Sequence, residues 1–314
     1  MRGKHDVALD RRTGLLRRHL YFLFFFVVGG GVVFWTALKS LIDFAQTFDY
    51  GSHIVLVVPV SAFLIYSRSR VIFSHAQFDF FPGSIGLLAV AILAWAAHFY
   101  PLLGRDSLSV EILALVVLWL SGFLLCYGLH AFRAARFPLL FLLLLVPFPE
   151  FLVEKVIFFL QAGSTTVALW LLRVLQVPVF REGFILRLPG LDLEVAKQCS
   201  GIRSSLALLI TTLLVSDLVL HSVWKKSLLV SSILPILILK NGIRIVTLSL
   251  LAIYVDRGFL HGWLHTSGGV VFYLLGVLAL IPIAIMLRTC EARSAKTSIE
   301  TSALSDTSDS NMEV

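Results

Sequence analysis

Uninterrupted apolar runs, each long enough to cross the roughly 30 Å of hydrocarbon in a bilayer, recur from one end of this chain to the other. In hydrocarbon every backbone N–H and C=O must find its partner inside the protein, which leaves the helix and the closed β-barrel. Barrel strands alternate apolar and polar residues; these runs do not, so the helix is selected. Composition agrees. Of 314 residues, 58% are hydrophobic and 14% charged, against about 25% charged in an ordinary soluble domain. The sequence is that of an all-α integral membrane protein with about eight transmembrane helices.

The runs fall at 20–42, 53–66, 84–100 and 108–128, in a segment ending at Phe148, and at 202–220, 227–253 and 268–288. A further segment, 151–176, is also long enough to span. The first run follows a basic stretch, as a signal peptide does, but it continues too far and meets no small-residue cleavage site, so it reads as a retained helix. Basic residues set the sidedness. Arg2, Lys4, Arg11, Arg12, Arg17 and Arg18 hold the N-terminus inside, and Arg68, Arg70, Arg133, Arg136, Lys225, Lys226, Arg288, Arg293 and Lys296 mark later inside segments. The loop around Asp43 and Asp49 falls outside. Both termini inside require an even number of spans, hence eight, with 151–176 as an interfacial or re-entrant helix on the outer side.

This parity divides the chain into a basic cytoplasmic N-terminus (1–19), a polytopic membrane domain (20–288) and a Ser/Thr-rich tail (289–314) read as disordered. Residues 177–198 form the one substantial polar loop, on the outer face. Its alternating stretch 185–195 turns at Pro189-Gly190, which predicts a short β-ribbon with Arg187 opposite Asp192.

Three functional classes lose ground on this pattern. The net charge of +7 is accounted for by inside loops, and no zinc finger or RNA-binding fingerprint is present, so nucleic acid is excluded as a partner. The three cysteines, Cys126, Cys199 and Cys290, are too few and too scattered for a disulfide framework or a metal site. No cofactor is expected.

Topology gathers a different chemistry on the outer face. Cys199 precedes the span at 202–220. Arg244 lies about 25 Å along the next span from Ser227, at about 1.5 Å per residue. His261 and His265 follow in the next outer loop. Thiolate is the nucleophilic form of cysteine, and both a helix N-terminus and a nearby arginine favour it. An imidazole can accept the thiol proton and later protonate a leaving amine, and a guanidinium can stabilise an oxyanion.

Each residue also has a structural reading. Cys126 is core filler and Cys290 a juxtamembrane residue. Cys199 stands apart from filler because Lys197-Gln198 precede it and Ser200-Gly201 follow. Arg244 either snorkels to the outer interface or is functional, the default for an ionisable group inside the membrane. Lys240, one turn earlier, shares its face, so their repulsion calls for an anion or polar neighbour such as Asn241. Either histidine could be an ordinary interfacial residue.

At these residues the sequence resembles the exosortase/archaeosortase family. Cys199-Ser-Gly-Ile-Arg203 resembles the family's nucleophile motif, Asn241-Gly-Ile-Arg244 its second block, and His265-Thr-Ser-Gly-Gly269 with Phe272 its histidine block. The stretches 137–149 and 177–183, and Ser52-His53 with Arg68 and Arg70, also look familial, so the likeness covers roughly 40–290. It implies a bacterial inner-membrane cysteine protease or transpeptidase, analogous to sortase but different in fold. Its partners would be exported proteins whose C-terminal signal joins a Pro-Glu-Pro-type motif, a transmembrane helix and a basic tail. Carried over residue by residue, Cys199 attacks to form a thioester, with Arg244 and His265 as the other catalytic residues. Arg203, Asn241 and His261 would bind substrate or support the site. Without covalent chemistry, the same helices could serve a transporter or a polysaccharide-export or assembly component, although a transporter needs a polar path at the midplane; Lys240 is the main charge there.

Overall fold

The structure is a computed structural model that describes residues 2–48, 51–74, 76–99, 106–196, 201–260 and 269–310. Its helices are α1 (Arg2–Val28), α2 (Trp35–Thr47), α3 (Ile54–Ser67), α4 (Ser69–Ile72), α5 (Phe80–Phe99), α6 (Asp106–Ala134), α7 (Arg136–Phe141), α8 (Glu150–Val174), α9 (Ile202–Val219), α10 (Val223–Ser231), α11 (Ile233–Tyr254) and α12 (Gly269–Ser310). A π-helical turn, Gly29–Val33, joins α1 to α2, and a 3-10 turn, Leu142–Leu145, extends α7. The chain forms two compact units, Met1–Glu154 and Lys155–Val314.

In the first unit α6, which kinks at Gly128, is central, and α1 runs antiparallel to it on a ladder of rings. Phe26 stacks on Trp119 at 4.2 Å, Phe22 meets Phe123 edge-on at 5.7 Å, and His19 Nδ1 lies 2.7 Å from the Tyr127 hydroxyl. Ile72 closes the same cluster against Phe123, Tyr127, Ala131 and Ala135. Those contacts place Arg17, Arg18, Arg68, Arg70, Arg133 and Arg136 at one end of the bundle, with Arg18 stacked 4.6 Å over the Phe78 ring. Ser61 donates to the Pro138 carbonyl at 2.7 Å, and a His53 ring nitrogen lies 3.1 Å from the Leu144 carbonyl; the two bonds pin α7 and its 3-10 turn along α3.

In the second unit α12 runs parallel to α9, joined by Thr211 and Tyr273 hydroxyls 2.8 Å apart. At one end Lys226 donates to Asp217 at 2.9 Å, and Glu291 accepts the backbone N–H groups of His221 and Ser222. Lys225, Arg288 and Arg293 share that end. At the other end a three-stranded antiparallel sheet, β1 (Phe180–Glu182), β2 (Ile185–Leu188) and β3 (Leu191–Glu194), packs its inner residues Leu186 and Leu188 on Ala168, Leu172, Ile245 and Val246. Arg257 fastens it by donating to the Gly190 carbonyl at 2.7 Å. The expected register, Arg187 opposite Asp192 around Pro189-Gly190, is present. A third strand joins it, and Arg187 takes its ion pair from Glu182 on β1.

The expectation of about eight spanning helices stands. Among the described residues seven helices are long and apolar enough to cross a membrane, and Ile54–Ser67 and Arg136–Leu145 are shorter apolar ones. Three segments differ in form from their sequence reading. The segment 151–176, read as an interfacial helix on the outer side, is the uninterrupted α8. It lies parallel to α11, with Gly163 against Ile238 and Gly242 against Val167, and runs from the basic end of its unit toward the sheet. The segment ending at Phe148, counted as a span, is the short apolar helix Arg136–Leu145, which runs along α3, tightens into a 3-10 turn and ends before Pro147 and Pro149, which cannot donate to a helix. The tail 289–314, read as disordered, continues α12 to Ser310; no glycine or proline after Pro282 interrupts it.

Candidate active site

The segment that carries Cys199 joins β3 to α9, and both of its ends are held by buried polar side chains from other helices. On the approach side, Val195 leaves the sheet with its N–H on the Phe184 carbonyl at 2.9 Å. Its own carbonyl accepts a hydrogen bond from the Gln161 side-chain amide of α8. Gln161 is only 6% exposed. A buried carbonyl left without a donor would cost about 1–3 kcal/mol, so this amide answers a need that no apolar residue of α8 could meet.

On the far side the chain enters α9 through Gly201, whose φ of +70° is the left-handed conformation glycine adopts without strain. A Cβ at that position would stand 3.2 Å from Asn241 Oδ1, so the missing side chain also lets Asn241 of α11 close on the turn. The Gly201 carbonyl accepts from the hydroxyls of Ser204 at 3.0 Å and Ser205 at 2.8 Å. Lys240, 3% exposed, donates from Nζ to Ser204 Oγ. Ser204 is therefore a polar neighbour of Lys240.

Gly201 stands 16 residues up α9 from Asp217, the carboxylate that pairs with Lys226 at the basic end. That is about 24 Å at 1.5 Å per residue. The hydrocarbon core of a bilayer is roughly 30 Å thick, so this distance is comparable with its thickness.

Three of the residues marked by the sequence fall in the described part. Asn241, 3% exposed, is brought against Gly201. Arg244 is half-buried one turn beyond Lys240 on α11. Arg203 is exposed, so it is not part of the buried cluster of Gly201, Ser204, Lys240 and Asn241. Cys199, His261 and His265 lie outside the described residues. Cys126 is buried in the aromatic cluster of the first unit and Cys290 is exposed. Among the described residues no group of His, Cys, Asp and Glu could hold a metal ion.

Sequence reasoning missed Gln161, Ser204 and Ser205. Gln161 had one available signal, an amide in an apolar helix beside Ser164 and Thr165, two further buried polar residues. The serines looked like the ordinary continuation of a motif, and only their shared acceptor at Gly201 gives them a role.

Residues 45–282, about three-quarters of the chain, match the family described as transmembrane exosortase. No curated protein and no solved structure matches the chain.

Proposed function

The chain belongs to the transmembrane exosortase family, and from that premise we propose that it is a cysteine protease or transpeptidase that cleaves C-terminal sorting signals of exported proteins. The supporting observation is a meeting of two motif blocks. The turn that follows Cys199 packs at Gly201 against Asn241, which opens the block containing Arg244. Two segments separated by some forty residues of sequence are thus joined at buried polar contacts inside a multi-pass membrane protein.

We infer that the membrane is a bacterial inner membrane, with the basic ends in the cytoplasm. In the first unit Arg17, Arg18, Arg68, Arg70, Arg133 and Arg136 share one end, and in the second Lys225, Lys226, Arg288 and Arg293 lie at the end opposite the sheet; positive charge at helix ends is retained on the cytoplasmic side. Both termini are then cytoplasmic and the sheet and nucleophile turn are outside. A substrate helix lying in the bilayer would bring the residues before it to that turn.

In the reaction we propose, the Cys199 thiol loses its proton to His265 and the thiolate attacks the scissile carbonyl carbon. The carbonyl electron pair moves to oxygen, and Arg244 stabilises that oxyanion. As the C–N bond breaks, the histidine returns its proton to the leaving amine, and the membrane anchor departs. The thioester is resolved by water or by an envelope amine. Asn241 secures the nucleophile turn, Arg203 meets substrate or lipid from an exposed position, and His261 supports the histidine loop. The substrate signal is a Pro-Glu-Pro-type motif followed by a transmembrane helix and a basic tail. No metal or cofactor takes part.

Cys199→Ser tests this reading. With the variant inserted and accumulating as the wild type does, processing of a substrate bearing such a tail is expected to stop. Undiminished processing would return the chain to a non-covalent transporter or assembly role.

A further inference from the structure

We propose that Lys240 is a positioning residue of this site: a buried cation that orders the first turn of α9 and biases Cys199 toward its thiolate. The proposal rests on the cysteine-protease reading.

A lysine inside a membrane span is costly and persists where something needs its charge. Lys240 is 3% exposed, in the middle of α11. Its stem passes α12 where Gly276 leaves room, a Cβ there lying 3.6 Å from Lys240 Cδ. Its head is turned to the first turn of α9, where it donates to Ser204, and Ser204 donates in turn to the Gly201 carbonyl. This relay ends two residues after Cys199. The chain thus places Cys199 two residues in sequence from a turn bonded to a buried cation.

The charge is not neutralised locally. Among the described residues no carboxylate forms an ion pair with Lys240. The charged and titratable groups around it are Arg244 one turn along α11, the exposed Arg203 on α9, and Tyr273 on α12, whose hydroxyl is engaged with Thr211. None supplies an anion. Glu194, at the end of β3, is exposed. Two cations on one face of α11 beside the N-terminus of α9 make a positive field, and an anion formed at Cys199 would be stabilised by it.

A purely structural lysine would only hold Ser204, and glutamine can do that without a charge. The experiment uses the full chain with Cys126→Ala and Cys290→Ala, so that Cys199 is the single thiol, in phospholipid vesicles. The pH dependence of its alkylation by iodoacetamide is followed for Lys240, Lys240→Gln, Lys240→Met and Lys240→Arg. Lys197, His261 and His265 are constant across the series. The midpoint is expected to rise by about one pH unit in both Lys240→Gln and Lys240→Met. Below the midpoint that is about a tenfold slower reaction, since the thiolate is the reacting form. Lys240→Arg is expected to keep the midpoint of the parent. The proposal is overturned if Lys240→Gln retains the parent midpoint, or if Lys240→Arg moves it as far as the neutral variants do. Alkylation needs no substrate, so a failure of the protease reading would appear as absent processing with this shift intact.

Discussion

A polar side chain deep in a membrane protein is stable only when another polar group answers it, and Gln161, Lys240 and Asn241 each meet that condition at one end of the Cys199 segment. Gln161→Leu removes the donor to the Val195 carbonyl and leaves that carbonyl buried, a loss of about 1–3 kcal/mol. Because the lost bond orients the approach to the nucleophile, kcat for processing is expected to fall more than tenfold, with KM little changed. Gln161→Glu is no rescue, since a carboxylate cannot donate. Equal kcat in wild type and Gln161→Leu would deny the residue a positioning role. Arg244 is tested by Arg244→Lys. A planar guanidinium presents paired donors in a fixed fork and an ammonium does not, so activity is expected to drop about 10²–10³-fold, the usual cost of one oxyanion donor. Normal insertion should accompany the loss. For the histidines, His265→Ala is expected to abolish most processing and to recover partly as the pH is raised and thiolate increases. His261→Ala should be milder, and the reverse order in a steady-state assay would exchange their roles.

At the scale of elements, what could be read from the sequence depended on whether local pattern alone decides structure. Continuous apolar runs of bilayer length decide it, so α5, α6, α9, α11 and the apolar part of α12 were all visible, as was the turn at Pro189-Gly190. The register of that ribbon followed from alternation. Neither the partner that Arg187 takes nor the third strand could be seen, because both depend on where β1 docks. Charge parity constrains the number of crossings but cannot say which of two adjacent apolar segments makes one; the structure gives 150–174 as a continuous helix packed on α11 and 136–145 as a short one that ends before the prolines at 147 and 149. Reporters fused after Phe148 and after Gln176 should read opposite sides of the membrane, assayed by paired alkaline phosphatase and green fluorescent protein activities. The same side for both would restore the interfacial reading of α8. The close approach of α8 to α11 has its own test. A Cβ on Gly242 would lie 2.9 Å from Val167 Cβ, and overpacking of this kind costs typically 1–3 kcal/mol. Gly242→Ala should lower the unfolding temperature in detergent, and an unchanged temperature would mean that the helices separate freely there.

For the whole molecule, the sequence located the motifs, while the structure supplies the side chains that hold the turn after Cys199. Gly201 lies about 24 Å from the basic end of its unit; on the proposed function a transmembrane substrate delivers its peptide bond there, beside a field built by α11 and the N-terminus of α9. The account's central claim is that this turn carries the nucleophile of a covalent reaction. It is tested most directly by trapping the intermediate: purified protein in vesicles is mixed with a tailed substrate, quenched in acid, and resolved with and without hydroxylamine. The wild type should give a covalent enzyme–substrate adduct that hydroxylamine cleaves, and Cys199→Ala should give none. An adduct of undiminished yield in Cys199→Ala would contradict the account by assigning the attack to another residue.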